Sequence, residues 1–213
     1  MLSIIQLDKI DKSFRGNLLF EQASASFESG RIYGIIGHNG AGKSVLFKMI
    51  CGFIKPDRGL IHIDPKYRAK RSSFPRNFGV IIDRPGYIPG RSGFDNLKKL
   101  ADIQRIITDK EITDVMQRVG LDPESKQKVK HYSLGMKQKL ALAQAIMENQ
   151  EVLLLDEPFN GLDQASVSNI RDMMLEYKKV GKTILLTSHN KEDIDLLSDH
   201  VYQINQRKLD QLY

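Results

Sequence analysis

Residues 31–53 read RIYGIIGHNGAGKSVLFKMICGF, and the reading of this stretch decides the fold. RIYGIIG is a short apolar run suited to a buried strand, a cluster of glycines then breaks it, and KSVLFKMICGF resumes with helical spacing of its apolar residues. Between strand and helix, Gly37 to Ser44 spell GHNGAGKS, a full match to G-x-x-x-x-G-K-[ST] in the context that this phosphate-binding pattern requires. Gly37, Gly40 and Gly42 let the backbone curl, so that the N–H groups of the segment from His38, Asn39 and Ala41 to Val45 turn toward phosphate oxygens. The positive end of the helix dipole reinforces them. Lys43 is placed to reach the β- and γ-phosphates and Ser44 to ligate Mg²⁺.

Further along, EVLLLDEP is an apolar strand that ends in two acids, Asp156 and Glu157. Adjacent acids after a strand also occur as surface or capping residues. Beside a phosphate loop they read differently: Asp156 as a carboxylate for Mg²⁺, direct or through water, and Glu157 as the group that orients and polarises a water for in-line attack. The expectation is a nucleoside-triphosphate hydrolase. A second strand, KTILLTSH, ends in Ser-His, and the helices QASVSNIRDMMLEYKKV and KEDIDLLSD alternate with these strands as in a parallel sheet with crossover helices.

The start, LSIIQLDKID and QASASFESG, reads as strands; KPDRG turns into a short strand, LIHI, and NFGVIID gives another. From GFDNLKKLADIQRI through TDKEITDVMQRVGL apolar residues recur at helical spacing, with Thr108 or Asp109 placed to cap the second helix. The closing HVYQINQRKLDQLY offers one strand and little more. Within HYSLGMKQKLALAQA, His131 to Ala145, a hydroxyl-bearing turn precedes a good helix, a second entrance suited to an anion yet lacking a lysine loop or a carboxylate pair of its own.

The chain has 213 residues, enough for one α/β domain with a subdomain insertion and too few for two full-sized domains. Hydrophobic residues are 41% and charged residues 27%, which excludes a disordered chain. No apolar run is long enough to span a bilayer, and the acidic residues in MLSIIQLDKIDKSF argue against a signal peptide. A single cysteine, Cys51, excludes an intrachain disulfide and reads as a small core residue. The net charge of +6 raises nucleic acid or an anionic membrane as partners. The densest basic stretch, KYRAKRSSFPR from Lys66 to Arg76, carries no nucleic-acid module around it and reads as a solvated loop; no nucleic-acid partner is expected.

Taken in order, these motifs resemble the ATP-binding subunit of an ABC transporter over essentially the whole chain: the phosphate loop at Gly37 to Ser44, the signature region at Ser133 to Lys137, Asp156 and Glu157, GLD at Gly161 to Asp163, and TSH ending at His189. The wording YSLGMKQ is similar to the bacitracin and lantibiotic resistance type. The resemblance implies an α/β P-loop fold of the ABC ATPase kind in a single domain, 1–213. Its RecA-like core and antiparallel β-subdomain would take about 1–84 and 150–213, and its helical subdomain about 85–149. It further implies that Phe14 stacks on adenine, with a core or loop role as the alternative, and that His189 reaches the γ-phosphate. By the same resemblance Asp163 contacts an opposing subunit, while Ser133, Gly135 and Met136 face the ATP held by that subunit.

The chain departs from the family at Asp83 and in the signature, where Leu134 and Met136 differ from the common pattern. Asp83 stands where Gln is usual, so that it is either a ligand of Mg²⁺ or a hinge or interface carboxylate. Met136 stands where Gln closes the signature, and it cannot donate a hydrogen bond. The resemblance implies ATP and Mg²⁺ as ligands and a head-to-tail pair with a second copy or a homologous ATPase subunit. It also implies a separate integral-membrane permease, a cytoplasmic place on the inner face of the cell membrane, and export of a peptide antibiotic or other drug. A soluble ABC ATPase of cofactor assembly is the alternative. Residues after Asp83, with Tyr87 and Ile88 as apolar anchors or as subdomain packing, are the candidate permease contact.

Overall fold

A computed structural model describes residues 3–14, 16–68, 74–83 and 86–213. Nine strands and six α-helices follow one another among these residues: β1 Ser3–Phe14, β2 Asn17–Glu28, β3 Ile32–Ile36, α1 Lys43–Ile50, β4 Arg58–Ile63, β5 Phe78–Ile81, α2 Gly93–Gln104, α3 Asp109–Arg118, α4 Leu134–Ile146, β6 Val152–Leu155, α5 Gln164–Lys179, β7 Thr183–Leu186, α6 Lys191–Leu197, β8 His200–Asn205 and β9 Lys208–Gln211. They form a three-stranded antiparallel sheet, β2-β1-β4, and a six-stranded sheet in the order β5-β6-β7-β3-β8-β9. All neighbours in the larger sheet are parallel except β8 and β9.

Side-chain alternation along the central strands divides the interior in two. Leu153 and Leu155 of β6 and Ile184 and Leu186 of β7 enter the core shared with α2, α3, α4 and α5. Their neighbours Val152, Leu154 and Leu185 point the other way, into a core shared with α1 and the antiparallel sheet. Both faces are covered, which is why these strands are apolar throughout rather than alternating with polar residues. Each fully buried Leu or Ile contributes about 2 kcal/mol, so the two layers are held by many small and similar terms.

Local signals set the helix starts. Ser92 caps α2 by accepting from the Asp95 N–H at 3.1 Å. Thr108 caps α3 in a reciprocal box with Glu111, which settles the choice between Thr108 and Asp109. Cys51 is buried, and burial pushes its thiol up to about 12, so it is a core residue without reactivity.

One sequence expectation needs correction. The closing segment is a hairpin of two strands, β8 and β9, whose turn places Gln206 and Arg207 at φ 44° and 67°. Such turns favour Asn and Gly, so a turn built from Gln and Arg leaves no signal in the sequence. In the basic stretch the described Lys66, Arg68 and Arg76 are exposed, as expected, whereas Tyr67 is buried edge-on against Phe78, its hydroxyl donates to Glu151 at 3.0 Å, and Lys66 pairs with the same carboxylate. Residues 69–73 of that stretch lie outside the described residues, as do Arg84 and Pro85 after Asp83. No helix among the described residues is long and apolar enough to cross a membrane.

Candidate active site

Strands β3, β6 and β7 lie side by side in the parallel sheet, so the segments leaving their carboxyl ends meet at one edge. These segments are the phosphate loop, the Asp156–Glu157 pair and the Thr187–His189 turn. From them Asn39, Gly40, Gly42, Lys43, Ser44 and Val45, then Asp156, Glu157 and His189, line with Phe14, Asn17 and Leu19 a cleft of about 400 Å³.

The loop is shaped by its glycines and tied by its lysine. Gly42 caps α1 at φ 109°, and a Cβ there would meet the Phe20 ring at 3.0 Å, so both the backbone conformation and the space require glycine. Lys43 is buried, and its Nζ donates to the Gly37 carbonyl at 2.7 Å and to the His38 carbonyl at 3.4 Å. The Ala41 N–H closes the loop onto the His38 carbonyl at 3.0 Å.

Asp156 is gripped from both sides. Ser44 Oγ donates to its Oδ2, and Thr187 Oγ1 donates to its Oδ1 at 2.7 Å. The hydroxyl of Thr187 also accepts from the Glu157 N–H at 2.9 Å. A hydroxyl and a carboxylate converging at a phosphate loop are the hard oxygen donors that suit Mg²⁺, and Ser44 and Asp156 fit such an ion.

Glu157 follows at φ 52°, a left-handed conformation that a side chain rarely adopts. Its Oε2 accepts from the His189 N–H at 3.2 Å, and its Oε1 lies 3.2 Å from His189 Nε2. That approach is not aligned as a hydrogen bond, and Oε1 is buried without a hydrogen-bond partner. Burial is the main influence on this carboxyl and raises its pKa; the charges of His189 and Lys43 and the His189 N–H oppose the rise, and that of Asp156 adds to it. A carboxylate whose burial raises its proton affinity is suited to accept a proton from water.

The remaining sequence candidates lie elsewhere. Asp83, at φ 57°, pairs with Lys48 Nζ of α1 at 2.5 Å and lines an adjoining recess with Tyr87, Leu134, Gln138, Asp156 and Glu157. Ser133 caps α4, its hydroxyl accepting from the Met136 N–H at 3.1 Å, and Met136 packs against the helical core. Ser133, Gly135 and Met136 are not among the described residues that line the Lys43 cleft. Asp163 caps α5 by accepting from the Ser166 N–H at 2.8 Å, the bond that chiefly holds its carboxyl below the usual range. Asn17, Leu19 and the bridging role of Thr187 were not foreseen; for Thr187 the signal was present, a hydroxyl at the end of an apolar strand beside another that ends in acids.

Comparison with known proteins shows the family. The family model described as ABC transporter matches residues 20–160. The chain is 41% identical over 207 residues to an uncharacterized ABC transporter ATP-binding protein, YybJ, of Bacillus subtilis (strain 168), covering 97% of this chain and 95% of that one. It is 30% identical to the lantibiotic transport ATP-binding protein SrtF of Streptococcus pyogenes, covering 97% and 89%. A solved structure described as the ATP binding subunit of an ABC transporter superposes with a TM-score of 0.83 at 24% identity, covering 99% of this chain and 90% of that one, and shares the fold. The chain belongs to the ABC transporter family as an ATP-binding subunit, an ATPase coupled to transport.

Proposed function

We propose that the chain hydrolyses ATP with Mg²⁺ to drive a separate integral-membrane permease. It would act on the inner face of the cell membrane as half of a head-to-tail pair with a second copy or a homologous subunit. The observation that carries this reading is a division of parts. Lys43, Ser44, Asp156, Glu157 and His189 share one cleft, whereas Ser133 and Gly135 open a helix that is not part of it. The helix entrance has phosphate-binding character and no hydrolytic groups, so a nucleotide held by another chain gives it a ligand.

In this account Lys43 exchanges the Gly37 and His38 carbonyls for the β- and γ-phosphate oxygens. Ser44 and Asp156 would hold Mg²⁺, which would supply positive charge to offset that of the phosphates. Glu157 orients a water and takes its proton, while the backbone N–H of His189 holds Oε2. Phe14 presents its ring to adenine from the cleft wall. Ser133 and Gly135 contact the partner's γ-phosphate, Met136 packs behind them, and Asp163 faces the partner. Asp83 acts from its ion pair with Lys48 as a hinge carboxylate rather than as a metal ligand.

The permease docks near Tyr87 and Ile88, which line a groove of about 320 Å³ with Leu100, Leu140 and Gln144. Similarity to a relative named for lantibiotic transport supports export of a peptide antibiotic or other drug. Purifying the chain from its native membrane tests the reading. An integral-membrane protein is expected to accompany it, with ATP-dependent phosphate release that Glu157→Gln abolishes. A chain that recovers alone and releases phosphate at the same rate in both forms contradicts it.

A further inference from the structure

The helix that begins with the signature also reaches the hydrolytic loop of its own chain. Gln138 Nε2 donates to the Glu157 carbonyl and to the Pro158 carbonyl, each at 3.1 Å. Both partners only accept, so the amide must present its NH₂ to them. The Glu157 carbonyl also accepts from the Asn160 N–H at 3.2 Å, and these bonds hold a turn in which Glu157 sits at φ 52°. A left-handed residue that is not glycine is strained and persists only where its surroundings enforce it.

Steric contact joins the same two segments. A Cβ added to Gly135 would lie 2.7 Å from the Gly161 carbonyl oxygen, and one added to Gly161 would meet Leu134 at 2.6 Å. The N-terminus of α4 therefore rests on the loop from Glu157 to Asp163 at two places, by backbone contact at Gly135 and by hydrogen bonds at Gln138. A shift of the helix start cannot leave the Glu157 backbone in place without breaking one of them.

We propose that Gln138 is a positioning residue that links engagement of the signature by the partner's nucleotide to the placement of this chain's own Glu157, so that the two sites of a pair act together. This rests on the head-to-tail reading above. Gln138 does not touch substrate; it fixes the backbone from which the carboxylate extends. Removing its donor leaves ATP binding to Lys43 intact and misplaces the base.

The test compares Gln138→Glu, which keeps the shape and turns a carboxylate onto two carbonyl oxygens, with Gln138→Lys, which retains a donor. In Gln138→Glu, kcat is expected to fall about tenfold to a hundredfold, the cost of misplacing a reacting group. ATP affinity by equilibrium binding stays within about threefold, as for a residue that acts only in the chemical step. The Hill coefficient for ATP falls toward one, and Gln138→Lys recovers a large part of both kcat and the Hill coefficient. Should Gln138→Glu not fold, Gln138→Met, similar in size without a donor, takes its place. Equal losses with and without a donor, or unchanged kcat and Hill coefficient in both variants, overturn the proposal. If Glu157→Gln dimerises with ATP while the Gln138 variants behave as the parent, only this proposal falls; if Glu157→Gln stays monomeric, the paired reading falls with it.

Discussion

Thr187 Oγ1 donates to Asp156 Oδ1 at 2.7 Å from the end of a neighbouring strand, and the same oxygen accepts the N–H of Glu157 at 2.9 Å. One buried hydroxyl thus holds both acids of the site. Thr187→Val keeps the shape and removes the hydroxyl, which leaves the Glu157 N–H without its acceptor. The expected cost is about 1–3 kcal/mol of stability, read as a lower denaturation midpoint, and about a tenfold loss of kcat.

Glu157→Gln is expected to lower phosphate release by about a hundredfold to ten thousandfold while ATP still binds. Single-turnover kinetics with an independent binding measurement check this.

The pH dependence at Glu157 follows from burial, which raises its pKa in the folded chain. The ionised base is lost as pH falls through that raised value, so kcat declines at a higher pH than an ordinary carboxylate would give. The linkage to stability has the opposite sense. A raised folded pKa favours the fold below the unfolded value of about 4 and loses that advantage as pH rises through the folded value. Glu157→Gln should therefore be more stable than the parent at neutral pH, and the difference should shrink in acid. Denaturant titrations at both pH values measure it.

Asp199 shows the other sign. Burial works against its ionisation, but the Ile32 N–H and Lys178 outweigh burial and hold its carboxyl below the usual range. The bonds join the start of β8 to β3 and α5. The stability they contribute is present above the unfolded pKa of about 4 and is lost as pH falls through the lower folded value. Asp199→Asn should cost about 2 kcal/mol at neutral pH and lose most of that cost at low pH, measured by unfolding across the range.

Asp83→Asn tests which partner this carboxylate serves. Its ion pair with Lys48 is partly exposed, 25% on the lysine and 57% on Asp83, and contributes about 0–1 kcal/mol, so stability changes little. The Mg²⁺ concentration for half-maximal phosphate release should stay within about twofold, whereas Ser44→Ala should raise it about tenfold or more by removing an oxygen donor.

The parallel strands, the phosphate loop and the two acids were legible because each rests on local chemistry: apolar runs ended by glycine, lysine or carboxylate. The cap of α3, read as Thr108 or Asp109, was equally local, whereas the cap of α2 at Ser92 was not singled out. What escaped depends on contacts between distant segments. The Gln206–Arg207 turn has no turn residues to announce it, and Gln138 reads as an ordinary helical residue until α4 is placed against Glu157. The pairing of Asp83 with Lys48 likewise needs the position of α1, which spacing alone does not supply.

The central claim is that the site is completed by a second chain, and the mass of Glu157→Gln in solution tests it most directly. Light scattering on a sizing column should give one chain mass without nucleotide and two chain masses with saturating ATP and Mg²⁺, with return to one mass when Ser133 is also changed to a bulky acid, Ser133→Glu. One chain mass under saturating ATP and Mg²⁺ would contradict the account.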